Sequence, residues 1–346
     1  MKIVAGLGCI DDYIRLAEAG ADEVFCGYVP YEWNKKYGNL FPLNRREVLY
    51  YNVQIGTLED MKILKKMVDV YKVPVTITMN YLYYLEEQLE FIEKIIRDLM
   101  EIGFDEFIIG DPALILYLQE KGIDCSIHLS GECAEINRLS IDFFNRFKNI
   151  SRYIFHRKNS IEDMKSCIEN NEKRNMQYEA FILNERCHYT GAFCSSLHCD
   201  EMAHLCKIPY HMAKINEESS HFRTIDDKFK DYYDESHFID EYELDEYNVL
   251  NLENSNNEDK SNYEYEEDAY SLGSTGCGIC ALKKLKNAGV THLKVVGRGN
   301  YIDYMERDVK NLKKAINMLD AYDERSYLEN VKDNLFNGKC SGECYY

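Results

Sequence analysis

The chain has 346 residues, of which 45% are hydrophobic and 29% charged, with 13 cysteines and a formal net charge of −19. This size suits one large α/β domain or two smaller ones. No run approaches eighteen apolar residues, so no membrane span is expected. The opening MKIVAGLGCIDDY runs into acids rather than a cleavage site, which argues against export and for a cytoplasmic location. In that setting an odd number of cysteines points to thiols or metal ligands rather than a disulfide framework. The acid is concentrated: residues 216–270 carry −15 of the −19, leaving −4 for the rest. A broad nucleic-acid surface needs clustered Lys and Arg, so charge does not support RNA as a partner.

Short β-branched runs alternate with amphipathic segments along the chain. Strands are expected at 2–6, 22–27, 73–80, 104–110, 123–130, 151–155, 178–183 and 291–297. Helices are expected after them: one stopped by Gly20, one over 57–72 capped by Thr57, and one over 85–102. Asp111-Pro112 opens the next, with Pro at its favoured first position. Further helices are expected at 135–147, at 161–171 behind Ser160, at 279–288 and at 301–321. Residues 28–37 read as a Tyr-rich loop. Eight strand–helix units at this spacing fit a (β/α)8 TIM-type barrel over 1–210 and 271–325; a doubly wound open sheet is the alternative.

The segment 211–270 is acidic, rich in Asn and Tyr, and without helical period. It reads as a flexible, solvated insertion between strands seven and eight, or as an acidic docking arm for a protein partner. Residues 326–346 read as a C-terminal tail whose Cys340 and Cys344 either fold back over the barrel mouth or fray.

In such a barrel, functional side chains gather at the C-terminal ends of the strands. Six cysteines obey that rule: Cys187, Cys194, Cys199, Cys206, Cys277 and Cys280 all lie between strands seven and eight. Six residues separate Cys187 from Cys194, wider than a zinc knuckle, and thiolates spread over a long loop suit an iron–sulfur cluster. Zinc through Cys277 and Cys280, or buried thiols alone, are the competing readings. Asn80, Asp111, His128, Arg157 and Arg298 end strands and are expected at the same rim. His128 could act as acid, base or ligand, and Arg298 could bind an anionic group bidentately. Asn80, His128 and Arg298 are thus the catalytic candidates. No Ser-His-Asp set has a diagnostic order or neighbours, and Gly297 and Gly299 do not complete a dinucleotide fingerprint.

These stretches resemble the collagenase-like peptidase family, peptidase family U32, which includes iron–sulfur proteins of oxygen-independent ubiquinone hydroxylation and of tRNA and rRNA hydroxylation. The resemblance runs through AEAGADEVFCG, VPVTITMN ending at Asn80, SIHLSGECAEIN with His128 and Asn137, and EAFILNERCHYTGAFC with Glu179, Phe181, Cys187 and Cys194. It continues through CKIPY with Cys206 and CGICALKKLKNAGVTHLKVVGR with Cys277, Gly297 and Arg298. It implies a 4Fe–4S cluster on Cys187, Cys194, Cys206 and Cys277, with Cys199 and Cys280 as substitutes. The chain departs from the family where Leu183-Asn184 replaces a His-Gly pair, Lys158 a Glu, and Val296 another Glu. Those departures imply a different substrate or a partner role. The expected function is an iron–sulfur enzyme of oxygen-independent hydroxylation, or a related modification, of a small molecule or nucleic-acid base. A collagenase-like peptidase and a non-catalytic scaffold are the alternatives.

Overall fold

The computed structural model describes residues 1–38, 42–45, 53–133, 136–173, 175–187, 213–216, 219–224, 270–336 and 340–346. Eight parallel strands close a barrel in which each pairs with its neighbours in chain order and the last with the first. They are β1 (Lys2–Leu7), β2 (Glu23–Gly27), β3 (Val75–Met79), β4 (Glu106–Ile109), β5 (Ser126–Leu129), β6 (Ile150–Ile154), β7 (Gln177–Leu183) and β10 (His292–Val295). The strands are buried on both faces, as a parallel sheet walled by helices requires.

The helices are α1 (Tyr13–Ala19), α2 (Tyr31–Tyr37), α3 (Leu58–Tyr71), α4 (Glu86–Ile102), α5 (Pro112–Glu120), α6 (Arg138–Phe144), α7 (Ile161–Glu169), α8 (Leu282–Ala288), α9 (Ile302–Asn317) and α10 (Glu324–Phe336). Their starts follow local chemistry. The Thr57 hydroxyl accepts from Asp60 N, the Asp111 carboxylate from Ala113 N, and the Ser160 hydroxyl from Asp163 N. Each bond satisfies an amide that the first helical turn would otherwise leave without a partner.

Two helices depart from expectation. Residues 31–37 form α2 rather than loop, because Trp33 and Tyr37, one turn apart, pack as tilted rings 4.6 Å apart and Trp33 also meets Phe91 at 5.6 Å. Residues 324–336 form α10 rather than tail, because Tyr327, Val331 and Phe336 bury one face and the Tyr327 hydroxyl donates to Ile279 O at 3.2 Å. Residues 340–346 do fold back: Cys277 N donates to Glu343 O and Tyr345 N to Cys277 O, both at 2.8 Å.

The chain divides into two compact units, Met1–His204 with Ser271–Tyr346, and Leu205–Tyr270. Within the second, β8 (Ala213–Asn216) and β9 (Ser219–Thr224) pair antiparallel. Apart from Tyr270, the rest of the expected acidic insertion lies outside the described residues.

Candidate functional site at the barrel mouth

The barrel interior is stratified. Its lower layer holds charge. Arg152 is 2.7 Å from Glu23 and 2.9 Å from Glu179, while Lys294 is 2.8 Å from Glu179. Burial alone would push these carboxyls up, but the partners outweigh it. His292 and Arg152 hold Glu23 well below its usual range, and Lys294 and Arg152 hold Glu179 at about 2. Above this layer lies an apolar plug of Val4, Phe25, Ile108, Ile154, Phe181 and Val296, against which Tyr345 packs.

The mouth holds a cavity of about 70 Å³ lined by plug residues such as Phe25, Ile108 and Phe181, by Lys294 of the charged layer, and by Arg45, Asn80, Ser130, Glu132, Arg157, Glu185 and Arg298. Arg298 is buried and held by neutral groups: its guanidinium donates to Thr78 Oγ1 at 3.1 Å, Asn44 Oδ1 at 3.2 Å and Gln54 Oε1 at 3.4 Å. Asn44 and Gln54 bond each other, which fixes that cradle. Gly27 makes room for it. A Cβ there would lie 1.8 Å from Gln54 Oε1 and 2.4 Å from Arg298 Nη1. The Asn80 side chain accepts from Arg45 N at 3.1 Å. Glu132 bridges two cations, 3.5 Å from both Arg45 and Arg157. The Arg157 guanidinium sits 4.0 Å over the Phe181 ring, and the Lys294 ammonium 3.8 Å over Phe25. Burial lowers the Lys294 pKa against the opposing pull of Glu179.

Asn80, Arg157 and Arg298 therefore stand where strand-end residues were expected. His128 does not. It faces the interior at 1% exposure, with Nε2 3.7 Å from Glu106, and burial, then Arg152, lowers its pKa to about 3. Alternation along β5 explains this: Ser126, His128 and Ser130 share a face, and Ser130, two residues further on, takes the rim position. Asp111 is spent on structure, accepting from Ala113 N and Tyr84 N at 2.8 Å each. Arg45, Glu132 and Lys294 were not singled out from sequence. The first two lie on loops with no periodic signal, and only the inward register of β10 could have marked Lys294.

Just past β7, Asn184 and Glu185 adopt φ of +67° and +48°, rare for non-glycine residues. Asn is the side-chain-bearing residue best suited to that conformation, and its amide donates to Asp308 at 2.7 Å. This turn sends the chain to Cys187. Leu183 forms an antiparallel bridge with Cys277, continued by Asn184 N to Gly276 O at 2.9 Å and Arg186 N to Thr275 O at 2.7 Å. Cys187 and Cys277, ninety positions apart in sequence, thus lie on neighbouring segments at one edge of the mouth. Cys277 also bridges Cys344 in parallel. Burial, then the nearby Cys280, Cys340 and Cys344 thiols, push Cys277 up to about 12. Cys280 is raised too, first by burial. Cys194, Cys199 and Cys206 lie outside the described residues, among which no group of three or more His, Cys, Asp or Glu is arranged to hold a metal ion. No helix among the described residues is long and apolar enough to cross a membrane.

Comparison with known proteins gives a match to the model of Peptidase family U32 over residues 9–343. The tRNA hydroxylation protein P of Escherichia coli (strain K12) is 22% identical over 322 residues, covering 86% of this chain; the chain spans 63% of that relative's length. Among solved structures, the U32 peptidase Mk0906 is similar at 11% identity and a TM-score of 0.41, over 56% of this chain and 73% of that one. A dihydrodipicolinate synthase from Bacillus clausii is similar at 8% identity and a TM-score of 0.43, over 95% of this chain and 77% of its own.

Proposed function

Because the chain belongs to peptidase family U32, we propose that it is an iron–sulfur enzyme of oxygen-independent hydroxylation or a related modification, acting at the barrel mouth. The reading extends to this chain what the name of its 22% identical relative says of that protein. The observation that carries it is the pairing of Leu183 with Cys277, which puts two widely separated thiols on one edge of the mouth. The proposed ligands are Cys187, Cys194, Cys206 and Cys277, with Cys199 or Cys280 as substitutes. The donor chemistry fits: soft thiolates from a long connection suit iron–sulfur ligation. A bound cluster would supply electron transfer or an iron site for an oxygen donor.

The chain's own residues have defined parts in this reading. Arg298 and Arg157 orient electron-rich groups of the substrate, Arg298 from its amide cradle and Arg157 from the Phe181 face. The apolar plug closes the floor to water and strengthens those interactions. Asn80 holds the Arg45 backbone in place, and His128, neutral in the layer below, takes no proton at working pH.

Hydrolysis by a cysteine nucleophile is less well supported. A reactive thiol needs a depressed pKa, and burial moves Cys277 the other way. The test is anaerobic purification and reconstitution of the full chain, followed by iron and sulfide analysis. About four irons per chain is expected, with loss of iron in Cys187→Ser and Cys277→Ser. A colourless, iron-free wild-type protein would end the proposal.

A further inference from the structure

A second cavity, of about 450 Å³, is bounded by the β6–α7 loop, the first turn of α7, the exit of β7 and the segment ending at Tyr346. Four cationic side chains line it, Arg157, Lys158, Arg186 and Lys284, against one carboxylate, Glu162. In a chain with 60 acids and 41 bases this local excess opposes the overall sign. Neighbouring acids only partly offset it. Arg157 meets Glu132 at a long 3.5 Å, Lys284 meets Glu324 at 3.6 Å on exposed surface, and Arg186 meets Glu343 at 3.1 Å. The Arg157 Nε is buried and makes no hydrogen bond among the described residues. A buried donor left unsatisfied in this way is destabilising unless something supplies the acceptor.

We propose that this cavity binds a small molecule carrying an oxyanion, either phosphate or carboxylate. Arg157 and Arg186 offer planar forks suited to two oxygens, and Lys158 and Lys284 add charge at the rim. The first turn of α7 contributes the positive end of its dipole, partly offset by Glu162 and Asp163 in the same turn. Tyr345 and Tyr346 wall the cavity with aromatic surface for the remainder of the molecule. Cys187 lines the same space, so the ligand would lie beside a proposed iron ligand, and Arg157 borders both this cavity and the mouth. The binding site rests on its lining alone and goes beyond the proposed function, since a cluster-free chain would keep it.

The test is calorimetric titration of the full chain with two probes, inorganic pyrophosphate and malonate, in a buffer free of other oxyanions. Wild-type protein should bind one of them saturably, and the probe that binds names the oxyanion class. The double variant Lys158→Glu with Arg186→Ala should bind it about ten-fold or more weakly. Circular dichroism and the unfolding midpoint check that these surface changes leave the fold intact. No saturable binding of either probe up to about 10 mM, or equal binding by a folded double variant, overturns the proposal. Iron analysis of the same samples reads the cluster separately, so either idea can fail alone.

Discussion

Replacing Arg152 with methionine would leave two carboxylates inside the barrel without the cation they share. Arg152 is 1% exposed, donates to Glu23, Glu179 and Gln177 at 2.7–2.9 Å, and occupies the centre of the charged layer. Methionine fills similar space with an unbranched apolar chain, so the cost should be electrostatic more than steric. Glu179 keeps Lys294, and Glu23 keeps His292 and the more distant Lys2, but both lose the shared guanidinium. Removing one partner of a buried ion pair costs about 3–5 kcal/mol. With a urea dependence of about 3 kcal/mol per molar, the midpoint should fall by roughly 1–1.7 M. The pH dependence tests the cause. In the wild type, the Glu179 pKa is depressed to about 2, so its contribution is full above the ordinary carboxylate value of 4.5 and is lost as pH falls towards 2. In the variant, Glu23 keeps His292 and Lys2 but loses the guanidinium, so its pKa rises, and its penalty is greatest at neutral pH and relieved by protonation. The gap between the two proteins should therefore shrink on acidification. A midpoint shift under about 0.3 M, or a gap unchanged from pH 7 to pH 4, would refute this account of the layer.

Three further outcomes are expected. Gly27→Ala should displace Arg298 or Gln54, because its Cβ would lie 1.8 Å from one and 2.4 Å from the other. Overpacking of this kind costs about 1–3 kcal/mol, read as a lower melting temperature, while iron content should be unchanged. Thr57→Ala removes the acceptor for Asp60 N and should cost about 1 kcal/mol in urea unfolding, with no effect on iron. In cluster-free protein at pH 8, an alkylating reagent should modify the exposed Cys340 well before Cys277, whose thiol is buried and raised to about 12; peptide mass mapping decides the order.

Much of the barrel was legible in the sequence because its helices announce themselves with local chemistry. Thr57, Asp111-Pro112 and Ser160 cap the helices expected of them, and every expected strand forms within a few residues of its range. What escaped notice depended on partners distant in sequence. Helix α2 is held by Phe91, and α10 by Ile279, neither of which a local pattern reveals. The site divides in the same way. Arg298 and Asn80 were visible because a polar residue ended an apolar strand. Arg45 and Glu132 lie on loops and come together only when the barrel closes. His128 shows the finer limit: alternation tells which face a residue takes but not its depth, and two residues separate the rim from the charged layer.

That depth also assigns the charges to different tasks. In the lower layer, the charges of Glu23 and Glu179 are answered by Arg152 and Lys294, so the set is internally balanced and needs nothing from outside. At the mouth the balance is different. Arg45 and Arg157 share the carboxylate of Glu132 at 3.5 Å, Glu185 lines the same cavity, and Arg298 donates to the neutral oxygens of Thr78, Asn44 and Gln54. Neutral acceptors fix a guanidinium without cancelling its field, and the apolar plug beneath lets that field act at low dielectric. The direction of the Arg298 guanidinium is therefore set by residues that orient it. It follows that Asn44 and Gln54 belong to the site as much as Arg298 does, since removing either leaves the charge and takes away its aim.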